Sequence, residues 1–112
     1  MAKLNDRGDN VRDLTPVEVA RGLAENRYLL VDVRELNETD AESYPDAVIV
    51  PLSAFDAGLI PDPQGREVVF ACRSGRRSVT ASLAAQEQGY PYTAHLAGGI
   101  IAWKASGLPT KT

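Results

Sequence analysis

The feature that most constrains this chain is a short apolar run ending in its only cysteine and passing at once into a loop of one glycine and three arginines. Residues 68–78 read Val68-Val69-Phe70-Ala71-Cys72-Arg73-Ser74-Gly75-Arg76-Arg77-Ser78, and a helix-forming stretch follows over residues 79–88. This order predicts a buried strand, a tight anion-cradling turn and a helix N-terminus. A thiol at that junction faces backbone N–H groups and the positive end of a helix dipole, both of which favour its anion. Gly75 permits the backbone to curl so that successive N–H groups converge on one centre.

Arg73, Arg76 and Arg77 add fixed positive charge within five residues of the sulfur. A free thiol titrates near ~8.5, and cationic neighbours with a helix start bring reactive cysteines to roughly 3.5–7.5. Cys72 is therefore expected to be an activated nucleophile rather than a structural thiol. The chain as a whole carries a formal charge of −3. The arginines thus form a local positive spot on an acidic protein, which suits an anionic substrate.

The remaining composition bounds the fold and excludes other classes. At 112 residues the chain makes one domain with a real core, and its 44% apolar content is that of a globular protein. No apolar run approaches the ~20 residues of a membrane span. The first twelve residues are polar and charged, without an apolar core of the signal-peptide kind, so a cytoplasmic location is expected. One cysteine forms neither an internal disulfide nor a cysteine-rich zinc site, and it fits a reducing compartment. Mild acidity argues against nucleic acid as the primary partner. No metal and no cofactor are expected.

Taken in order, residues 1–12 read as a polar N-terminal tail and residues 13–110 as the domain. Thr15-Pro16-Val17-Glu18 has the pattern of a helix start, with the helix ending near Asn26. Residues 28–33 are an apolar run of the kind found in strands covered on both faces, and residues 47–50 are a second short apolar strand stopped by Pro51. Residues 35–43 read as a loop with a short helical turn, and Ser53 as the cap of a turn over residues 55–59. Residues 61–65 are a loop. Residues 67–71 are the best candidate for the centre of the sheet, and residues 92–96 form a fourth strand. Gly98-Gly99 opens a last helix over residues 100–106, and Gly107 closes it. Strands alternating with helices predict an α/β domain with a mainly parallel central sheet and helices on both faces. In such sheets ligands gather at the carboxyl ends of strands, where Cys72 lies.

Three segments carry a family resemblance. Cys72-Arg73-Ser74-Gly75-Arg76-Arg77-Ser78 resembles the active-site loop of single-domain rhodanese-like sulfurtransferases. Leu30-Val31-Asp32-Val33-Arg34-Glu35 resembles that family's V-D-V-R-E strand end. Residues 96–109 resemble its C-terminal L-x-G-G-x-x-x-W-x-x-x-G-L-P pattern. One segment departs from the family: where G-H-I-P-G-A is usual, this chain has Glu42-Ser43-Tyr44-Pro45-Asp46-Ala47. An altered turn is expected there, with the nucleophile retained.

The resemblance implies sulfane-sulfur transfer: Cys72 takes sulfur from an anionic donor such as thiosulfate and passes it, from a persulfide, to a thiol, cyanide or protein acceptor. The expected site is Cys72 as catalytic residue, with Arg73, Ser74, Gly75, Arg76, Arg77 and Ser78 around the substrate. Two rivals use the same features. A cysteine-dependent phosphatase or arsenate reductase resembles C-x5-R, but arginine stands at 77 and Ser78 at the position that motif requires. A docking or persulfide-carrier module is the other. Asp32 and Arg34 read as a structural ion pair. His95, the only histidine, lies in a strand pattern with no asparagine or aspartate closely following, so a catalytic role is not assigned to it. Trp103 reads as packing.

Overall fold

A computed structural model of the chain describes residues 9–112. Five strands, β1 (Arg12–Leu14), β2 (Tyr28–Asp32), β3 (Val48–Ile49), β4 (Glu67–Ala71) and β5 (Ala94–Leu96), form one sheet in the order β1-β5-β4-β2-β3, every pair parallel. Four helices, α1 (Pro16–Ala24), α2 (Leu36–Ala41), α3 (Arg77–Glu87) and α4 (Gly99–Ala105), supply the crossovers. β4 lies at the centre, as its apolar sequence predicts.

Alternate residues of the central strands enter two separate cores. Leu29, Val31, Val68 and Phe70 pack with Ala81 and Ala85 of α3 on one face. Leu30, Val69 and Ala71 pack with Val19 of α1 and Ile100 and Trp103 of α4 on the other. Burial of both faces is why these strands read as unbroken apolar runs rather than alternating ones. Ala81, Ser82 and Ala85 are small, so α3 sits close to the sheet.

Several expected boundaries shift. β1 is a fifth strand, too short and too polar for periodicity to reveal; its first residue falls inside the expected tail, and Val11 before it is fully buried. Residues 1–8 of that tail lie outside the described residues. Residues 36–41 form a full helix, where a loop with one turn was expected. The segment after β3 forms two 3-10 turns, Leu52–Ala54 and Ala57–Leu59. The cap of the second is Asp56, which accepts from the Gly58 N–H at 2.8 Å. Ser53 instead donates its hydroxyl to Glu35. The N-terminus of α1 is the expected capping box of Thr15 and Glu18.

The entry to α4 fixes the carboxyl end of β4 and the loop that follows it. Gly98 and Gly99 both have positive φ, +77° and +60°. A Cβ on Gly99 would strike the Arg73 carbonyl and lie 2.6 Å from the Cys72 carbonyl oxygen. That close approach lets the N–H groups of Ile100 and Ile101 donate to the carbonyls of Cys72 and Arg73, at 2.9 and 3.2 Å. Gly99→Ala combines a left-handed backbone with a backbone clash, and is expected to lose at least about 2 kcal/mol. A urea unfolding midpoint equal to that of wild type would contradict this.

Candidate active site

Cys72 follows β4 directly and is 1% exposed. The Gly75 N–H donates to its Sγ at 3.1 Å. Gly75 holds φ +97°, and a Cβ there would come 2.9 Å from the Gly98 nitrogen. Glycine is therefore required twice, for the backbone angle and for contact with the turn into α4. The residues of the loop divide by position. Arg73, Ser74 and Arg76 are exposed, Gly75 and Arg77 are partly buried, and Ser78 is fully buried in the first turn of α3.

Arg77 does not point freely into solvent. Its guanidinium grips Glu38 of α2 through two bonds, Nη1 to Oε1 at 2.6 Å and Nη2 to Oε2 at 2.8 Å. Glu38 also accepts from the Glu35 N–H at 3.0 Å. The bidentate pair therefore ties the N-terminus of α2 to that of α3. The hydrogen bonds from Arg77, chiefly, hold the Glu38 carboxyl down to about 2.

Asp32 and Arg34 form the expected structural pair. Both are buried, with Arg34 Nη2 donating to Asp32 Oδ2 at 2.8 Å and to the Glu42 carbonyl at 2.9 Å. Charge pairing and filled hydrogen-bond capacity make that burial tolerable.

The departure at residues 42–47 has a structural consequence. Tyr44 is 2% exposed and donates its hydroxyl to the Cys72 carbonyl at 2.7 Å. Its ring packs edge-on against Trp103, with centroids 5.5 Å apart, and lies under the Arg34 guanidinium. Burial, reinforced by the Asp32 charge, pushes the Tyr44 phenol well above its usual range, so it remains a donor. Asp46 occupies a left-handed turn position, φ +59°, where the resembled pattern has glycine. Aspartate tolerates that conformation better than most residues.

Sequence reasoning passed over His95 and Asp13. His95 is 2% exposed; its Nδ1 lies 2.8 Å from Ser78 Oγ and its Nε2 lies 2.7 Å from Asp13 Oδ1. Ser78 Oγ is in turn 3.5 Å from Cys72 Sγ. Asp13 precedes His95 by 82 positions, and the two are register partners on β1 and β5. Only the strand order could reveal the pair. A cleft of about 440 Å³ opens beside the loop, lined by Arg34, Glu38, Glu42, Arg73, Ile101 and Lys104. Among the described residues no group of three or more His, Cys, Asp or Glu side chains could hold a metal ion. None of the helices among them is long and apolar enough to cross a membrane.

A parallel sheet with a cysteine at the carboxyl end of its central strand, under a glycine-bearing loop, defines an α/β domain of the rhodanese type. The sequence matches the Rhodanese-like domain family over residues 15–106, and the chain belongs to that family. It is 37% identical over 100 residues to a protein of Allochromatium vinosum named Sulfurtransferase, covering 88% of this chain and 94% of that one. It is 38% identical over 86 residues to the uncharacterized protein slr1261 of Synechocystis, covering 77% of this chain and 48% of that one. The chain therefore spans about half of that relative's length. The human single-domain sulfurtransferase TSTD1 superposes with a TM-score of 0.70 at 28% identity, covering 88% of this chain and 97% of that one.

The Glu38–Arg77 bond predicts a pH signature. A carboxyl depressed in the folded state stabilises at pH values above its unfolded titration, and that contribution fades as pH falls toward the folded value. Glu38→Gln is expected to cost about 1 kcal/mol near neutrality. The gap from wild type should close as pH falls from 4.5 toward about 2. Parallel urea curves that keep a constant gap down to acid pH would contradict the assignment.

Proposed function

We propose that this protein is a sulfurtransferase that carries sulfane sulfur on Cys72. The thiolate attacks the outer sulfur of an anionic donor such as thiosulfate. A bond forms between Cys72 Sγ and that sulfur, the donor's S–S bond breaks, and sulfite leaves with the electron pair. A thiol, cyanide or protein acceptor then removes the sulfur from the persulfide, Cys72–S–S⁻. The observation that carries this reading is the Gly75 N–H aimed at Sγ at 3.1 Å from a loop whose curl requires glycine. Such preorganised donors favour an anion on sulfur. Membership of the rhodanese-like family and the sulfurtransferase names of its relatives support the same chemistry. The reaction as written needs neither metal nor cofactor.

Within the loop, Cys72 is the nucleophile, Ser74, Gly75 and Ser78 shape its surroundings, and the arginines meet the donor. Arg73 and Arg76 are the exposed cations, whereas Arg77 is engaged by Glu38. Donor recognition is accordingly assigned to Arg73 and Arg76, and a bracing role to Arg77. The bracing also bears on phosphoryl chemistry, which needs a free arginine facing the oxyanion. The net acidity of the chain does not favour nucleic acid as a partner, and a cytoplasmic setting would keep the thiol reduced.

Incubation with excess thiosulfate, without reductant, is expected to raise the intact mass of wild type by one sulfur atom and to leave Cys72→Ser unchanged. No gain from thiosulfate or from other sulfane donors, with turnover of an aryl phosphate instead, would reverse the reading. In steady-state transfer to cyanide, Arg73→Ala or Arg76→Ala should raise KM for thiosulfate several-fold. Arg77→Ala should act mainly on stability. A KM effect confined to Arg77→Ala would return donor binding to that residue.

A further inference from the structure

Cys72 has a proton to lose and almost no contact with water, since the residue is 1% exposed. Among the described residues a connected route runs outward. Sγ is 3.5 Å from Ser78 Oγ, Oγ is 2.8 Å from His95 Nδ1, and Nε2 is 2.7 Å from Asp13 Oδ1. Ser78 is 0% and His95 2% exposed, while the Asp13 side chain is 44% exposed. The row thus begins at a buried thiol and ends at a carboxylate in reach of solvent.

Its hydrogens order themselves in one direction. An ionised carboxylate only accepts, so the proton of neutral His95 belongs on Nε2, facing Asp13. Nδ1 is then an acceptor and takes the Ser78 hydroxyl hydrogen. The Ser78 oxygen is left to accept from the thiol. The polar groups that the two ring nitrogens meet come from separate elements, Ser78 from α3 and Asp13 from β1, with Cys72 behind Ser78 at the end of β4.

We propose that Asp13, His95 and Ser78 form a proton relay that takes the Cys72 proton and holds the resulting thiolate. The S–H proton passes to Ser78 Oγ as the Ser78 proton passes to His95 Nδ1. The products are a thiolate and an imidazolium held by the Asp13 carboxylate, so atoms and charge balance and no oxidant or reductant takes part. When an acceptor attacks the persulfide's outer sulfur, the S–S electron pair returns to Cys72 Sγ and the same relay stands ready. His95 and Asp13 are positioning residues here, since they act on sulfur only through Ser78. The scheme rests on the sulfurtransferase reading for its purpose, but its operation needs only the thiol.

The test is the rate of Cys72 alkylation by iodoacetamide, followed by intact mass from about pH 5 to about pH 10. Wild type, Asp13→Asn, His95→Gln, Ser78→Ala and the double variant Asp13→Asn with Ser78→Ala are compared, each checked for folding by urea titration. Asp13→Asn, a change at the surface end, should move the alkylation midpoint up by about one pH unit, which lowers the rate about tenfold at pH values well below the midpoint. The high-pH plateau should stay at the wild-type value, a pattern that a merely structural change does not produce. His95→Gln and Ser78→Ala should shift the profile in the same direction. Asp13→Asn should add no further shift to Ser78→Ala. Folded Asp13→Asn and His95→Gln proteins whose profiles superpose on wild type would overturn the relay. A full additional shift in the double variant would overturn the path through Ser78. Sulfur gain by wild type from thiosulfate is scored in parallel. A shifted profile without sulfur gain upholds the relay and rejects the transfer reading, and sulfur gain with superposed profiles does the reverse.

Discussion

The site depends on the grip that the rest of the molecule has on one backbone carbonyl. The Cys72 oxygen accepts both the Tyr44 hydroxyl and the Ile100 N–H. These bonds join the end of the central strand to the segment before β3 and to the first turn of α4. Beyond that held carbonyl the loop curls back, and Gly75 places its N–H on Sγ. Two glycines make the approach possible: a side chain at 75 or at 99 would force the loop and the α4 entry apart. Buried hydrogen bonds of this kind matter less for their net energy than for the cost of leaving such groups unpaired.

Charge around the loop is arranged in two layers. The buried Asp32–Arg34 pair and the Glu38–Arg77 pair brace the backbone at the carboxyl end of β2 and at the starts of α2 and α3. Exposed Arg73 and Arg76 stand outside that bracing. The division has a physical basis. An arginine held bidentately by a carboxylate has lost most of its capacity for a second anion, while an exposed one keeps it. The three loop arginines look alike in sequence, yet a single partner on α2 separates one from the others.

Much of the molecule was legible before folding was considered. The runs at residues 28–33 and 67–71 announced strands buried on both faces, and the box at Thr15 and Glu18 announced α1. The Gly98-Gly99 pair announced a tight helix entry. The strand-to-loop transition at Cys72 placed the candidate nucleophile at a strand's carboxyl end. What escaped notice was short or distant. β1 spans three residues, too few for a period of two to be read, and two of them are charged. Tyr44 looked like part of an atypical turn, because its partner is a backbone carbonyl 28 positions away.

The sequence by itself determined the α/β order, the central strand, the position of the thiol and the need for glycine beside it, because these follow from hydrophobic periodicity and from local backbone geometry. Only the tertiary structure decided which arginine is bound, what holds the cysteine's carbonyl, and that His95 lies between Ser78 and Asp13. Those are pairings between elements far apart in the chain, fixed by parallel strand order and helix placement. A sequence lists the side chains that can form such bonds; the fold chooses which of them meet.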